Sequence, residues 1–228
     1  LGPGERAIVV RNPAAFAARF GTVVTPLGSY DGNLANSGEE LTLTDAAGQI
    51  IRRFTYLDRA PWPPSANRNG FSLVLIRPDV RTDHADPSQW RASVLPGGTP
   101  GSSDSQRFAG TAGADLDGNG QDDLLDHALG SRLSDPGSGL QVSVEPLLES
   151  GVLTERLVVT LPRNLAADDT TLLLESSSIL GESWNGSGFQ LLREERPLAG
   201  PIRQSFVSTR PVSDSDSKFV RVRVLLSP

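Results

Sequence analysis

The 228-residue chain contains no cysteine. That absence excludes disulfides, thiolate zinc sites, iron–sulfur clusters and cysteine nucleophiles together. It also contains no methionine and starts at Leu1, so it reads as a piece of a longer protein. No secretory leader is visible, and an internal piece would show none. No run approaches the roughly 18 apolar residues that a membrane-spanning helix needs. Lysine occurs once, at Lys218, and histidine twice, at His84 and His127. Neither G-x-S-x-G nor H-E-x-x-H is present, so no hydrolase elbow or zinc-protease helix can be placed. The Gly-rich stretch 97–101 lacks the lysine of a phosphate loop, and Pro100 has no N–H to donate. It reads as a turn that ends a domain.

What the chain has in abundance is turn formers, 23 Gly and 17 Pro, which rule out long helices and favour short strands. Residues 7–10 form a first apolar run. Asn12, Pro13 and Gly21 punctuate a helix of about two turns over 13–20. Strands are expected at 41–44, 49–57 and 71–77, with 45–48 as a hairpin loop. A second set falls at 140–144, 155–161, 170–176, 189–192, 204–208 and 218–226. In the last of these, Val220, Val222 and Val224 alternate with Arg221, Arg223 and Leu225. Such alternation gives a strand one buried and one wetter face. The expected fold class is all-β: two β-sandwich units, 1–103 and 139–228, joined by a linker over 104–138.

Charge singles out the middle. The net −6 divides into +1 over residues 1–110, −5 over 111–138 and −2 over 139–228. An acidic chain without a basic block makes a poor nucleic-acid partner. Within the acidic segment, residues 115–126 follow a twelve-residue calcium loop. Oxygen-bearing side chains stand at loop positions 1, 3, 5, 9 and 12: Asp115, Asp117, Asn119, Asp123 and Asp126. Gly120 occupies the sharp turn at position 6, and Gln121 at position 7 offers its backbone carbonyl. Carboxylates brought to one centre repel one another, and a hard divalent cation with six to eight oxygen ligands relieves that repulsion. Many ligands on a flexible loop suit Ca²⁺ better than Mg²⁺, and Zn²⁺ lacks its usual donors apart from His127. Asp126 has a shorter arm than the usual Glu at position 12, so modest affinity is expected. Leu124, Leu125, Ala128 and Leu129 form the apolar face of a short exit helix stopped by Gly130. The expected role of the ion is to stiffen the joint between the two sandwiches.

Three stretches also carry a resemblance. Residues 36–43, followed by Gly48-Gln49-Ile50-Ile51, Phe54-Thr55-Tyr56, Gly70-Phe71-Ser72-Leu73, Trp90-Arg91-Ala92-Ser93 and 97–101, resemble the bacterial lamin-tail domain. The match covers about 1–103 without the family's opening strands, and it implies the later portion of an immunoglobulin-like sandwich. The acidic loop and Leu124-Leu125-Asp126-His127-Ala128-Leu129-Gly130 resemble a single dockerin-type calcium loop of large secreted bacterial proteins. The stretch with Val158-Val159-Thr160, Arg163-Asn164, Asp168-Asp169, 174–177, Trp184 and 218–222 is similar to the small β domain that follows such loops. The resemblance implies a non-catalytic structural, adhesion or display module of a secreted or cell-surface bacterial protein. Its partner would be a surface polymer or another protein.

Two alternatives stay open: a carbohydrate-binding accessory module, and the non-catalytic tail of a larger hydrolase or spore-coat kinase-like protein. The first needs an exposed aromatic platform, for which Trp62 between prolines is the candidate, although packing on those prolines is the plainer reading. Trp90 and Trp184 read as core residues. His84 reads as part of a polar surface loop and His127 as surface or helix-face packing. Ser213-Asp214-Ser215-Asp216-Ser217 reads as a solvated hairpin loop.

Overall fold

The computed structural model describes all residues except 3, 68, 79, 81, 131–138, 182, 197–200, 215–218 and 228. Most of the Ser/Asp run at 213–217 lies outside the described residues. Among the described residues the fold is all-β, with 38% strand against 11% helix, several sheets and no barrel. The chain divides into two compact units, Leu1–Ser105 and Gln106–Pro228. No helix of the described residues is long and apolar enough to cross a membrane.

In the N-terminal unit, β1 (Val9–Val10) runs parallel to β2 (Gly28–Ser29), with α1 (Pro13–Phe20) between them in sequence. The expected punctuation of α1 is present. The Asn12 side chain accepts the Ala15 N–H at 3.0 Å, and the Gly21 N–H closes on the Ala17 carbonyl. β3 (Gly38–Thr44) and β4 (Ile50–Leu57) form an antiparallel hairpin. Its loop is held by Asp45, whose carboxylate accepts the N–H groups of Ala47 at 2.9 Å and Gln49 at 2.8 Å. β5 (Leu73–Leu75) pairs with β6 (Trp90–Ala92), two short strands between long turns.

Aromatic rings fill the middle of this unit. Phe54 stacks on Trp90 at 5.3 Å and Trp62 lies 6.0 Å from Trp90. The His84 ring stands edge-on to Phe54 and Trp90, so it packs rather than facing solvent as a bare loop residue. Trp62 is 3% exposed, so it offers no platform to a sugar. The unit is closed by a buried ion pair: Arg91 Nη1 lies 2.6 Å from Asp104 Oδ2, which also accepts the Val94 N–H at 2.9 Å. That anchor binds residue 104 to β6, and the unit ends one residue later.

In the C-terminal unit, β7 (Gln141–Glu149), β8 (Val152–Arg163), β11 (Ile202–Ser208) and β10 (Phe189–Glu195) form an antiparallel sheet of order β10-β11-β8-β7. β9 (Thr170–Ser177) and β12 (Phe219–Leu226) form a second antiparallel pair. Leu129, Val159, Leu161 and Leu174 make the core, with Leu125, Phe206, Val220 and Val222 packed against it. The period-two pattern of β12 puts Arg221 and Arg223 on its other face, where both reach Glu175 at 2.8 and 2.9 Å. Trp184 lies on that outer face too, 4.2 Å beneath the Arg221 guanidinium, rather than in the core as expected. Arginine covers it in place of the aliphatic side chains of a core.

Candidate functional site

The acidic loop belongs to the C-terminal unit. Its exit helix α2 (Asp123–Leu129) buries Leu124, Ala128 and Leu129, the last two with no exposed surface. α2 packs against β8, β9 and β12. The strand that carries the core also caps the helix. Arg163 Nη1 donates to the Ala128 carbonyl at 3.0 Å, and the Asn164 backbone N–H donates to the same oxygen. The Asn164 side chain donates to the His127 carbonyl at 2.9 Å. Gly130 ends the helix in the left-handed region, φ 71°, with its N–H on the Asp126 carbonyl. The segment expected as a calcium-stiffened linker therefore sets its exit helix, Asp123–Leu129, into the core of the C-terminal unit. A helix with an apolar face must be covered, and the two sheets of this unit cover it.

The loop folds by carboxylates accepting backbone N–H groups. Asp115 takes those of Asn119 at 3.0 Å and Gly120 at 2.9 Å, and Asp117 also takes that of Asn119 at 3.0 Å. Asn119 Oδ1 accepts the Gln121 N–H at 2.7 Å. Gly120 has φ 87°, a value that strains any residue with a Cβ, which is why glycine stands at the turn.

Two side-chain amides then bridge the carboxylates. Asn119 Nδ2 donates to Asp117 Oδ2 at 2.9 Å and to Asp126 Oδ2 at 2.8 Å. Gln121 Nε2 donates to Asp126 Oδ1 at 2.6 Å. Asp115, Asp117, Asn119, Gln121 and Asp126 thus form one connected network. Gln121 enters it through its side chain as well as standing at the position expected to offer a carbonyl. Asp123 instead braces the start of the loop. Its Oδ1 accepts the Leu116 N–H at 3.0 Å, and its own N–H closes on the Ala114 carbonyl. Among the described residues no three His, Asp or Glu side chains stand close enough together to hold a metal as they are. The donor set still has the chemistry a hard cation needs, because its members are oxygen donors. The Asn119 amide stands between Asp117 and Asp126, and the Gln121 amide adds a second donor to Asp126.

Beside the loop lies a pair that no local motif announces. His127 Nε2 is 3.0 Å from Asp169 Oδ1, and Asp169 Oδ2 accepts the Phe108 N–H at 2.6 Å. The Phe108 ring covers the imidazole at 5.5 Å. Burial pushes the Asp169 carboxyl up, but the Phe108 N–H and the His127 ring outweigh it and hold it below the ordinary carboxylate range. Asp168-Asp169 carries no sequence signal for this role, since its partner lies 42 residues away. The chain matches no protein-family model, no curated protein and no solved structure.

Proposed function

We propose that this chain is a non-catalytic structural, adhesion or display module of a secreted or cell-surface bacterial protein, and that its 115–126 loop binds one Ca²⁺. The observation that carries the cation reading is the closure of the loop. Asp117 and Asp126 both accept from the Asn119 amide, and Asp126 also from the Gln121 amide, so the loop offsets its carboxylates with donors where a cation would supply more counter-charge. When bound, Ca²⁺ would supply the counter-charge, with Asp115, Asp117, Asn119, Asp126 and the Gln121 position as its holders and Asp123 as support for the turn. The lamin-tail-like motifs of the N-terminal unit support the surface-display part of the reading.

His84 packs edge-on to Phe54 and Trp90, and His127 pairs with Asp169. The test is calorimetric titration of the chain with CaCl₂ after chelator treatment. One site per chain is expected, lost in an Asp115→Ala, Asp117→Ala variant. No heat of binding in the parent, or equal binding by the double variant, refutes the cation reading.

A further inference from the structure

The N-terminal unit contains a cleft of about 440 Å³ between the β3–β4 hairpin and the segment leading into β5. Its walls are Leu41, Phe54, Tyr56, Phe71, Leu73 and Trp90, four of them aromatic. Its size lies within the roughly 300–1,000 Å³ range of small-ligand pockets. Polar groups gather at one side of these walls. Asn36 Nδ2 donates to Asn67 Oδ1 at 3.1 Å, and Asn67 Nδ2 donates to the Asp58 carbonyl at 3.2 Å and to Asp58 Oδ2 at 3.5 Å. Asn67 is thereby held from two sides. Asn36 Oδ1 and Asp58 Oδ1 accept no hydrogen bond from any described residue. The Tyr56 hydroxyl is fixed on the Ala35 carbonyl at 2.7 Å.

We infer that this cleft is a binding subsite for an uncharged sugar ring of a glycan. Aromatic and aliphatic walls match the apolar face of a pyranose. The open acceptors, an amide oxygen and a carboxylate oxygen, match ring hydroxyls as donors. Among the described residues the lining has no arginine, lysine or histidine and one carboxylate, Asp58, whose charge would repel a phosphate or uronate. A quaternary ammonium ion would need rings standing apart around an empty centre. Here Phe54 and Trp90 stack on each other at 5.3 Å with 25° between their planes, which leaves no cage. The inference rests on the adhesion reading within the proposed function. It does not depend on the cation, because every residue invoked lies in the N-terminal unit.

The experiment is calorimetric titration of the full chain, in chelator, with neutral linear hexasaccharides of glucose, mannose and N-acetylglucosamine. Oligogalacturonate and tetramethylammonium chloride serve as the charged comparisons. Saturable binding of a neutral oligosaccharide is expected, weakened about tenfold by Phe71→Ala, which removes an aromatic wall. The exposed Asn36→Ala change, which leaves the aromatic cluster untouched, should weaken it about threefold through loss of one hydrogen bond. Trp184→Ala, in the other unit, should titrate like the parent. The inference is overturned if no neutral sugar binds, if either charged probe binds as well as the best sugar, or if Asn36→Ala and Phe71→Ala both match the parent. Sugar binding with no calcium heat would sink the cation reading alone, and the reverse pattern would sink this one alone.

Discussion

Loading the loop with calcium should stabilise the C-terminal unit as a domain, and the structure says where the effect lands. α2 begins inside the loop at Asp123 and ends with Leu129 fully buried beside Val159, Leu161 and Leu174. Arg163 and Asn164 tie its last carbonyls to the end of β8. Releasing the loop therefore withdraws side chains from the core, so an ion bound only by the closed loop stabilises the folded unit. For a site of modest affinity, Kd about 10⁻⁴–10⁻³ M, 10 mM free Ca²⁺ contributes roughly 1.4–2.7 kcal/mol. In a unit of this size that raises Tm by about 4–14 °C. The assay is differential scanning calorimetry in calcium and in chelator, with hydrogen exchange to assign the change. Amides of α2, β8, β9 and β12 should gain protection, while β3–β6 should not change. Asp117→Asn keeps an acceptor for the Asn119 N–H but removes a charge. In chelator it should melt at or above the parent, because like-charge repulsion is relieved, and in calcium below it. Identical melting of the parent in calcium and chelator refutes the coupling. So does protection that rises equally in both units, or an equal effect from Mg²⁺ at the same concentration.

Other outcomes follow from the same contacts. Leu129→Ala should cost about 2–5 kcal/mol in urea unfolding, because a fully buried side chain leaves a cavity between α2 and two sheets; a cost under about 1 kcal/mol would mean that the helix is not a core element. Burial, reinforced by Glu39, pushes the Tyr56 phenol from 10.0 up to about 12. With Tyr30→Phe leaving one phenol, its ultraviolet titration should show that midpoint. The folded pKa is the higher one, so the linked stability is intact below pH 10 and is lost between pH 10 and about 12; a midpoint at 10 would contradict the buried contacts with Ala35 and Glu39. Asp169 has the opposite sign. Its folded pKa is depressed, so its contribution is present above 3.8 and disappears as pH falls below that value. Asp169→Asn should flatten the acid limb of a pH–stability curve, and an unchanged limb would show that the His127 pair contributes nothing.

Local signals are legible in the sequence because each is complete within a few residues. Asn12, Pro13 and Gly21 specify α1 without help from elsewhere, and the twelve-residue loop carries its donors and its turn glycine in one stretch. The first strand of the C-terminal unit is expected to end at 144, yet β7 continues to Glu149 through Pro146. Proline is a fair stop signal, but an edge strand can spare the missing donor, and edge status depends on the final order β10-β11-β8-β7. The same limit applies to Trp62 and Trp184. One is buried against Trp90 and the other lies under Arg221, and neither neighbour adjoins its tryptophan in sequence.

The acidic stretch shows how a legible feature can still be placed wrongly. Clustered charge suggests a cation-stiffened joint with a short exit helix, but the apolar stripe Leu124, Leu125, Ala128 and Leu129 of that helix asks for more than a joint offers. A helix of seven residues is too short to hold its shape alone in water, so its stripe must be covered by tertiary packing. A helix with such a stripe belongs to the core that covers it. Following the stripe rather than the charge leads to β8, to Arg163 at the helix end, and to the C-terminal unit as owner of the loop. The cation binding proposed for the loop is then expected to act on the stability of one unit rather than on a joint between two.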